Sequence, residues 1–265
     1  MRGPSVSHFR DTFLPYFEEF QRTLATNIGD WVVKGFIDVY RNIYTISIDT
    51  KVVSKIIELM LFPVISRFAI VHKYQIILSE HQNHYPDMTF VAPDGTKIAL
   101  DLKSTYRLSE TIVNGFTLGA FTGYFRQRDS NKNITFPYKA YSAHFVLGII
   151  YSRSKEAIDE RRLYTLDDLQ NIVSVAKDFT FLLQEKWRIA ADGPGSGNTK
   201  NIGSIKDIPG LIEGNGSFAR LGQEVFDDYW MNYLTEDMAR AIESEVPYRN
   251  LEQYLKWRRP HKRKN

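Results

Sequence analysis

The chain has 265 residues, of which 43% are hydrophobic, 25% charged and 14% aromatic, with a formal net charge of +3. This is an ordinary globular composition, enough for one large domain or two modest ones, and its mild basicity permits a polyanionic partner without requiring one. The lack of any cysteine excludes disulfides, thiolate zinc sites and cysteine nucleophiles. No apolar run reaches membrane-spanning length, since Pro63 and Arg67 interrupt Leu59 to Val71, and no signal-peptide core precedes Asp11. A cytoplasmic protein without a membrane partner is expected.

Residues 8 to 27 have helical spacing, with Phe9, Phe13, Phe17, Phe20 and Leu24 on one face. Residues 30 to 48 read as extended, with Lys34-Gly35 as a turn between Trp31-Val-Val and Phe36 to Tyr40, followed by a strand at Tyr44 to Ile48. This aromatic-rich segment is a candidate subunit contact; an ordinary edge hairpin is the plainer alternative. Asp49 is a plausible N-cap for a helix reaching about His72, with a kink or break before Pro63. Glu58 sits at the edge of its apolar stripe and gains interest only if the helix meets another acidic group. Tyr74 to Leu78 reads as a strand.

Two further strands follow, Met88 to Ala92 and Lys97 to Ser104, joined by the turn residues Pro93-Asp94-Gly95. If those three form the loop, pairing is centred on Asp94 and Asp87 falls directly opposite Asp101, with Lys103 on the same face as Asp101. Opposed residues keep their Cβ atoms about 4.5–5.5 Å apart. Two ionised carboxylates at about 5 Å repel by roughly 3 kcal/mol at an effective dielectric near 20. Lys103 offsets part of that cost, and a hard divalent cation would offset more. Such a cation, Mg²⁺ for example, can activate water against a phosphodiester. A surface hairpin with a solvated Asp–Lys pair is the bland alternative. Ile98, Leu100 and Leu102 supply the other, buried face, leaving a polar side under either reading.

Residues 107 to 115 read as a loop, 116 to 125 as helical or mixed, and 126 to 133 as a basic loop containing Lys132. Alternation resumes at Ile134. His144 to Tyr151 is a buried strand in which His144 reads as a core histidine rather than a ligand. Strands are expected at Phe179 to Leu183 and at Lys186 to Ala190. The glycine-rich stretch from Asp192 to Gly203 matches neither a phosphate loop nor a dinucleotide fingerprint, so no nucleotide cofactor is expected. It presents amide, hydroxyl and ammonium groups suited to base edges and phosphates in a DNA groove, a long surface linker being the alternative. A helix is expected around Glu224 to Leu234. Five basic residues among the last nine make a phosphate-seeking or merely solubilising tail.

Pro86-Asp87 followed by Asp101-Leu102-Lys103 is the PD…(D/E)xK pattern of metal-dependent nucleases. Together with Asp49-Thr-Lys-Val, Gln82-Asn-His-Tyr-Pro-Asp, Ile98-Ala-Leu-Asp-Leu-Lys, Phe116-Thr-Leu-Gly and Gly195-Ser-Gly-Asn-Thr-Lys-Asn-Ile-Gly-Ser-Ile, it resembles the EcoRV family of type II restriction endonucleases from about residue 49 to 235. The resemblance implies an α/β fold, a mixed sheet with flanking helices in a restriction-endonuclease-like PD-(D/E)xK core, carrying a small dimerisation subdomain. In one domain spanning 1–265, that subdomain would be about 28–48, possibly with 160–175, the catalytic core 49–155, and the DNA-recognition region with its basic tail 176–265.

The resemblance further implies that Asp87, Asp101 and Glu58 are metal-binding carboxylates holding Mg²⁺, and that Lys103 is the catalytic ammonium. Gln82 and Asn83 would lie in the minor groove. Gly195, Ser196, Gly197, Asn198 and Thr199, with Asn201 beside them, would read base edges in the major groove. Ser104, Thr105 and Tyr106 would adjoin the scissile phosphate, Ser104 standing where the family has Thr, and Lys132 would contact DNA. The segment between the acids is two residues shorter than the family's, and Gly193-Pro194 departs from it just before the recognition loop. The implied enzyme is a homodimer cutting double-stranded DNA at a palindrome, GATATC, to blunt ends. Two other readings remain: a DNA-binding protein without catalysis, against which the intact trio stands, and a structure-selective repair or junction nuclease, which would not need the recognition loop.

Overall fold

The run Phe145 to Tyr151 has almost no polar interruption, the pattern of a strand covered on both faces, and it forms the centre of the molecule. A computed structural model of the chain describes residues 4–81, 83–155, 159–195 and 200–261. In chain order the elements are α1 (Pro4–Phe13), α2 (Phe17–Leu24), β1 (Gly35–Ile37), β2 (Ile43–Thr45), α3 (Thr50–Val71), β3 (Gln75–Leu78), β4 (Met88–Val91), β5 (Lys97–Tyr106), β6 (Thr117–Ala120), β7 (Tyr141–Arg153), β8 (Leu163–Tyr164), β9 (Ala176–Glu185), α4 (Lys186–Ile189), β10 (Ala190–Pro194), β11 (Asn201–Ser204), α5 (Ile208–Glu213), α6 (Gln223–Asn232), α7 (Glu236–Ala241) and α8 (Leu251–His261). Among the described residues no helix is long and apolar enough to cross a membrane.

The expected α/β architecture is present. A five-stranded mixed sheet runs β3-β4-β5-β7-β9, with β5 and β7 parallel and the other neighbours antiparallel. β9 lies in the stretch expected to serve recognition, yet it completes this sheet. On one face α1, α2 and α3 bury Phe9, Phe13, Phe20, Ile57 and Phe68 against Ile98, Leu100 and Phe145. On the other, Ala99, Val146 and Ile150 meet Phe121, Tyr124, Tyr229 and Trp230. A smaller sheet, β10-β11-β6, lies with that second core, and a third, β1-β2-β8, joins residues 35–45 to 163–164.

The structure corrects several expectations. The first helix breaks at Pro15, where residues 14–16 form a tight 3₁₀ turn. Lys34-Gly35 is not a turn: Gly35 pairs with Thr45, and the chain reverses at 38–42 around the Asp38 carboxylate, which accepts the Tyr40 and Asn42 amides. α3 runs unbroken through Pro63, because Leu61, Val64, Ile65 and Phe68 are buried on either side of it and tertiary packing outweighs the lost backbone bond. Asp49 caps it as expected, accepting the Lys51 and Val52 amides. No strand follows Ile134; regular pairing resumes only at Tyr141. Lys186–Ile189 is a helical turn, and the strand begins at Ala190. The basic tail is helical as far as His261.

Candidate active site

The turn between β4 and β5 decides the site. Gly95 adopts a positive φ of 85°, and the Ala92 amide donates to Thr96 O across the loop. Met88 therefore pairs with Leu100 and Val91 with Lys97, the register centred on Asp94 that the sequence predicts. One step beyond the ladder, Asp87 Oδ2 accepts the Leu102 amide at 2.7 Å. Lys103 Nζ lies 2.9 Å from Asp101 Oδ2 and 3.8 Å from Asp87 Oδ2. The trio is assembled.

The solvated surface hairpin, the bland alternative for this trio, does not hold at Asp101. Asp101 is only 3% exposed, enclosed where the second core covers this face of the sheet, while Asp87 and Lys103 stay partly open. Burial, and then the Asp101 charge, push the Asp87 carboxyl up to about 7 against the opposing pull of Lys103 and the Leu102 amide. Asp101 falls the other way. Burial raises it, but Lys103 and then Lys186 outweigh that, holding it below the usual carboxylate range. Burial also works against the charge on Lys103, yet Asp101 and Asp87 more than compensate, so Lys103 remains an ammonium.

Two carboxylates brought together against their repulsion, one of them poised near neutrality, suit a hard cation that can take the place of a proton. Glu58, on α3, lines one small pocket with Lys103 and Ser104. α3 packs on the Leu100 side of β5, opposite Asp101, and Glu58 pairs with Lys55 at 2.7 Å. Its charge still reaches Lys103, and with Asp87, His81 and His84 it lines a cleft of about 570 Å³. Among the described residues no three His, Cys, Asp or Glu side chains stand together as metal ligands; the two carboxylates drawn together by Lys103 are Asp87 and Asp101.

The other predicted residues fall on several different elements. Ser104 shares a 2.6 Å hydrogen bond with Ser54 of α3, Thr105 is buried on the Asp101 face, and Tyr106 lies beneath the Arg153 guanidinium, 3.4 Å from its ring centroid. Asn83 is exposed on the turn before Asp87, and Lys132 on the loop after Phe125. Gly195 donates its amide to Asn201 O at 2.8 Å, closing the neck of the glycine-rich loop. Gln82, Ser196, Gly197, Asn198 and Thr199 lie outside the described residues.

Sequence reasoning missed Lys186. It is 1% exposed, and its Nζ stands 4.2 Å from the Tyr85 ring centroid. Burial pushes its pKa down to about 8, partly resisted by Asp101. Its neighbours Gln184, Glu185 and Arg188 are polar as well, so the local sequence held no signal that Lys186 is buried. His144 is a core histidine as expected, sharing a 2.9 Å hydrogen bond with Tyr85 Oη.

The family model for restriction endonuclease EcoRV matches residues 27–259, extending the resemblance at both ends. The type II restriction enzyme EcoRV of Escherichia coli is 38% identical over 228 residues, covering 85% of this chain and 90% of its own length. Among solved structures, NlaIV restriction endonuclease aligns with a TM-score of 0.40 at 13% identity, covering 94% of this chain and 95% of that one.

Proposed function

The chain belongs to the EcoRV family of type II restriction endonucleases, and from that premise we propose that it acts as a homodimer that, with Mg²⁺, cuts both strands of GATATC at its centre to leave blunt ends. Site-specific deoxyribonuclease activity on DNA is the family's chemistry. The observation that carries the reading is the trio itself: two opposed carboxylates with one ammonium bridging them.

Asp87 and Asp101 would hold the metal. Bound there, Mg²⁺ supplies Lewis-acid polarisation of the phosphate and of an attacking water. The residues do the rest. Asp87 must give up its proton for the pair to act together. Lys103, anchored by both acids, directs a fixed positive charge at the phosphate, where negative charge builds in the transition state. As an ammonium it offers electrostatic stabilisation rather than a basic amine. Glu58 influences Lys103 through space. Ser104, Thr105, Tyr106 and Lys132 would position the backbone, Gln82 and Asn83 the minor groove. The loop from Gly195 to Asn201 would read base edges, and its Gly195-Ser-Gly-Asn-Thr sequence supports the same target.

The β1-β2-β8 sheet supports the dimer. Val39 is 90% and Tyr40 83% exposed, with Phe36, Ile37 and Leu163 also open to solvent, an apolar face that a second copy would cover. Incubating a supercoiled plasmid of known sequence with Mg²⁺, with and without chelator, and mapping the ends tests the whole reading. Blunt ends at GATATC, lost on chelation, are expected. Staggered or scattered ends would refute the target, and chelator-resistant cutting would refute the metal.

A further inference from the structure

We propose that Asp192 is a positioning residue for sequence recognition, tying the neck of the 195–201 loop to the C-terminal helix α8. The proposal rests on the reading that this loop meets the bases.

β10 and β11 pair out of step. Ala190 lies opposite Ser204 and Pro194 opposite Ile202, so four steps along β10 match two along β11. Asp192 is at the middle of the bulge. Bulged residues lose ladder partners and re-aim the chain, so their direction is set by whatever else holds them. Asp192 is held twice. Its backbone carbonyl accepts the Tyr229 hydroxyl at 2.5 Å, and its Oδ2 accepts the amide of Leu251, the first residue of α8, at 2.9 Å. A carboxylate at the start of an eleven-residue helix also gains from the positive end of the helix dipole.

The anchor on the far side is rigid. Tyr229 is fully buried, its ring 5.1 Å from Trp230 and 5.2 Å from Tyr254, and its own carbonyl accepts the Tyr248 hydroxyl. Beneath the neck there is no slack. A Cβ on Gly203 would come within 3.0 Å of Gly193 O and 3.1 Å of Gly195 N. Asp192 therefore stands three positions before Gly195 in a segment pressed between β11 and a fixed aromatic block. A shift at the clamp passes directly into the neck that Gly195 and Asn201 close. Base readout depends on hydrogen bonds whose geometry tolerates little displacement, so the clamp bears on discrimination more than on chemistry.

The test compares kcat/KM on a duplex carrying GATATC, or the site mapped in its place, with that on the same duplex after exchange of one base pair. Asp192→Ala should lower the ratio of the two about tenfold, the discrimination of a single base contact. Asp192→Asn, which keeps an oxygen for the Leu251 amide, should stay within about threefold of the parent, and Tyr229→Phe, which removes the bond to the Asp192 carbonyl but keeps the carboxylate and its contact with the positive end of α8, should fall between. Partial unfolding lowers both rates equally and leaves the ratio untouched. An unchanged ratio in folded Asp192→Ala, or in Tyr229→Phe should the first not fold, overturns the proposal. Asn198→Ala separates premise from inference: if the ratio survives it, the loop does not read bases; if the ratio collapses there but not in Asp192→Ala, the clamp alone fails.

Discussion

The central sheet and the small β1-β2-β8 sheet break the ordinary rule of burial in opposite directions. At Asp101 a carboxylate is almost wholly enclosed, sustained by Lys103 and Lys186. At Val39 and Tyr40 apolar side chains stand in water. Each departure has a cost in the single chain, and the function proposed above would offset both, with a cation and a phosphate at the buried acids and a second copy on the exposed apolar face.

Breaking the first mismatch should have the largest effect. Asp101→Ala removes one of two carboxylates and should cut cleavage by about a thousandfold or more, while gel-shift binding to the specific duplex persists in Ca²⁺; residual cleavage near the parent rate would refute the role. Next comes the second mismatch. Val39→Glu with Tyr40→Glu places like charges across the two-fold contact, which should weaken association by about a hundredfold, read as a shift to monomer mass in sedimentation. A dimer that persists at the same concentration would move the interface elsewhere.

Asp87 sharpens the comparison through pH. In the folded chain its carboxyl keeps its proton up to about 7, against an ordinary value of 3.8. The folded state therefore binds a proton that the unfolded chain has released, and in metal-free buffer this contribution to stability is full below pH 4 and lost as pH rises through 7. Asp87→Asn should flatten that decline and raise the metal-free melting temperature at pH 8 by roughly 2–4 °C for each kcal/mol relieved. No rise would show that the acids are not in repulsion. The smallest effect is local: Asp49→Ala removes the cap of α3 and should cost about 1 kcal/mol in chemical denaturation, with cleavage specificity unchanged.

Much of the active site was legible because it is built from consecutive residues. Period-two alternation and the Pro93-Asp94-Gly95 turn imply the register, and the register implies that Asp87 opposes Asp101. The Asp49 cap was readable for the same reason. The turn at 34–35 and the strand at 186–190 were misjudged because local pattern alone could not show that Asp38 organises the later turn, or that Lys186 is drawn into an aromatic pocket of Tyr85 and Tyr138. Glu58 was placed on the right helix, and only packing showed that this helix brings it beside Lys103.

By itself the sequence determined the β4–β5 register, the opposition of Asp87 and Asp101 with Lys103 beside them, and the family, since these depend on side-chain identity and short-range spacing. Tertiary structure alone decided how deeply Asp101 is enclosed, which distant cation stands behind it, and what grips Asp192. Those depend on residues such as Lys186, Tyr229 and Leu251, which lie tens of positions away along the chain and meet the site only when two separate cores close on the two faces of one sheet.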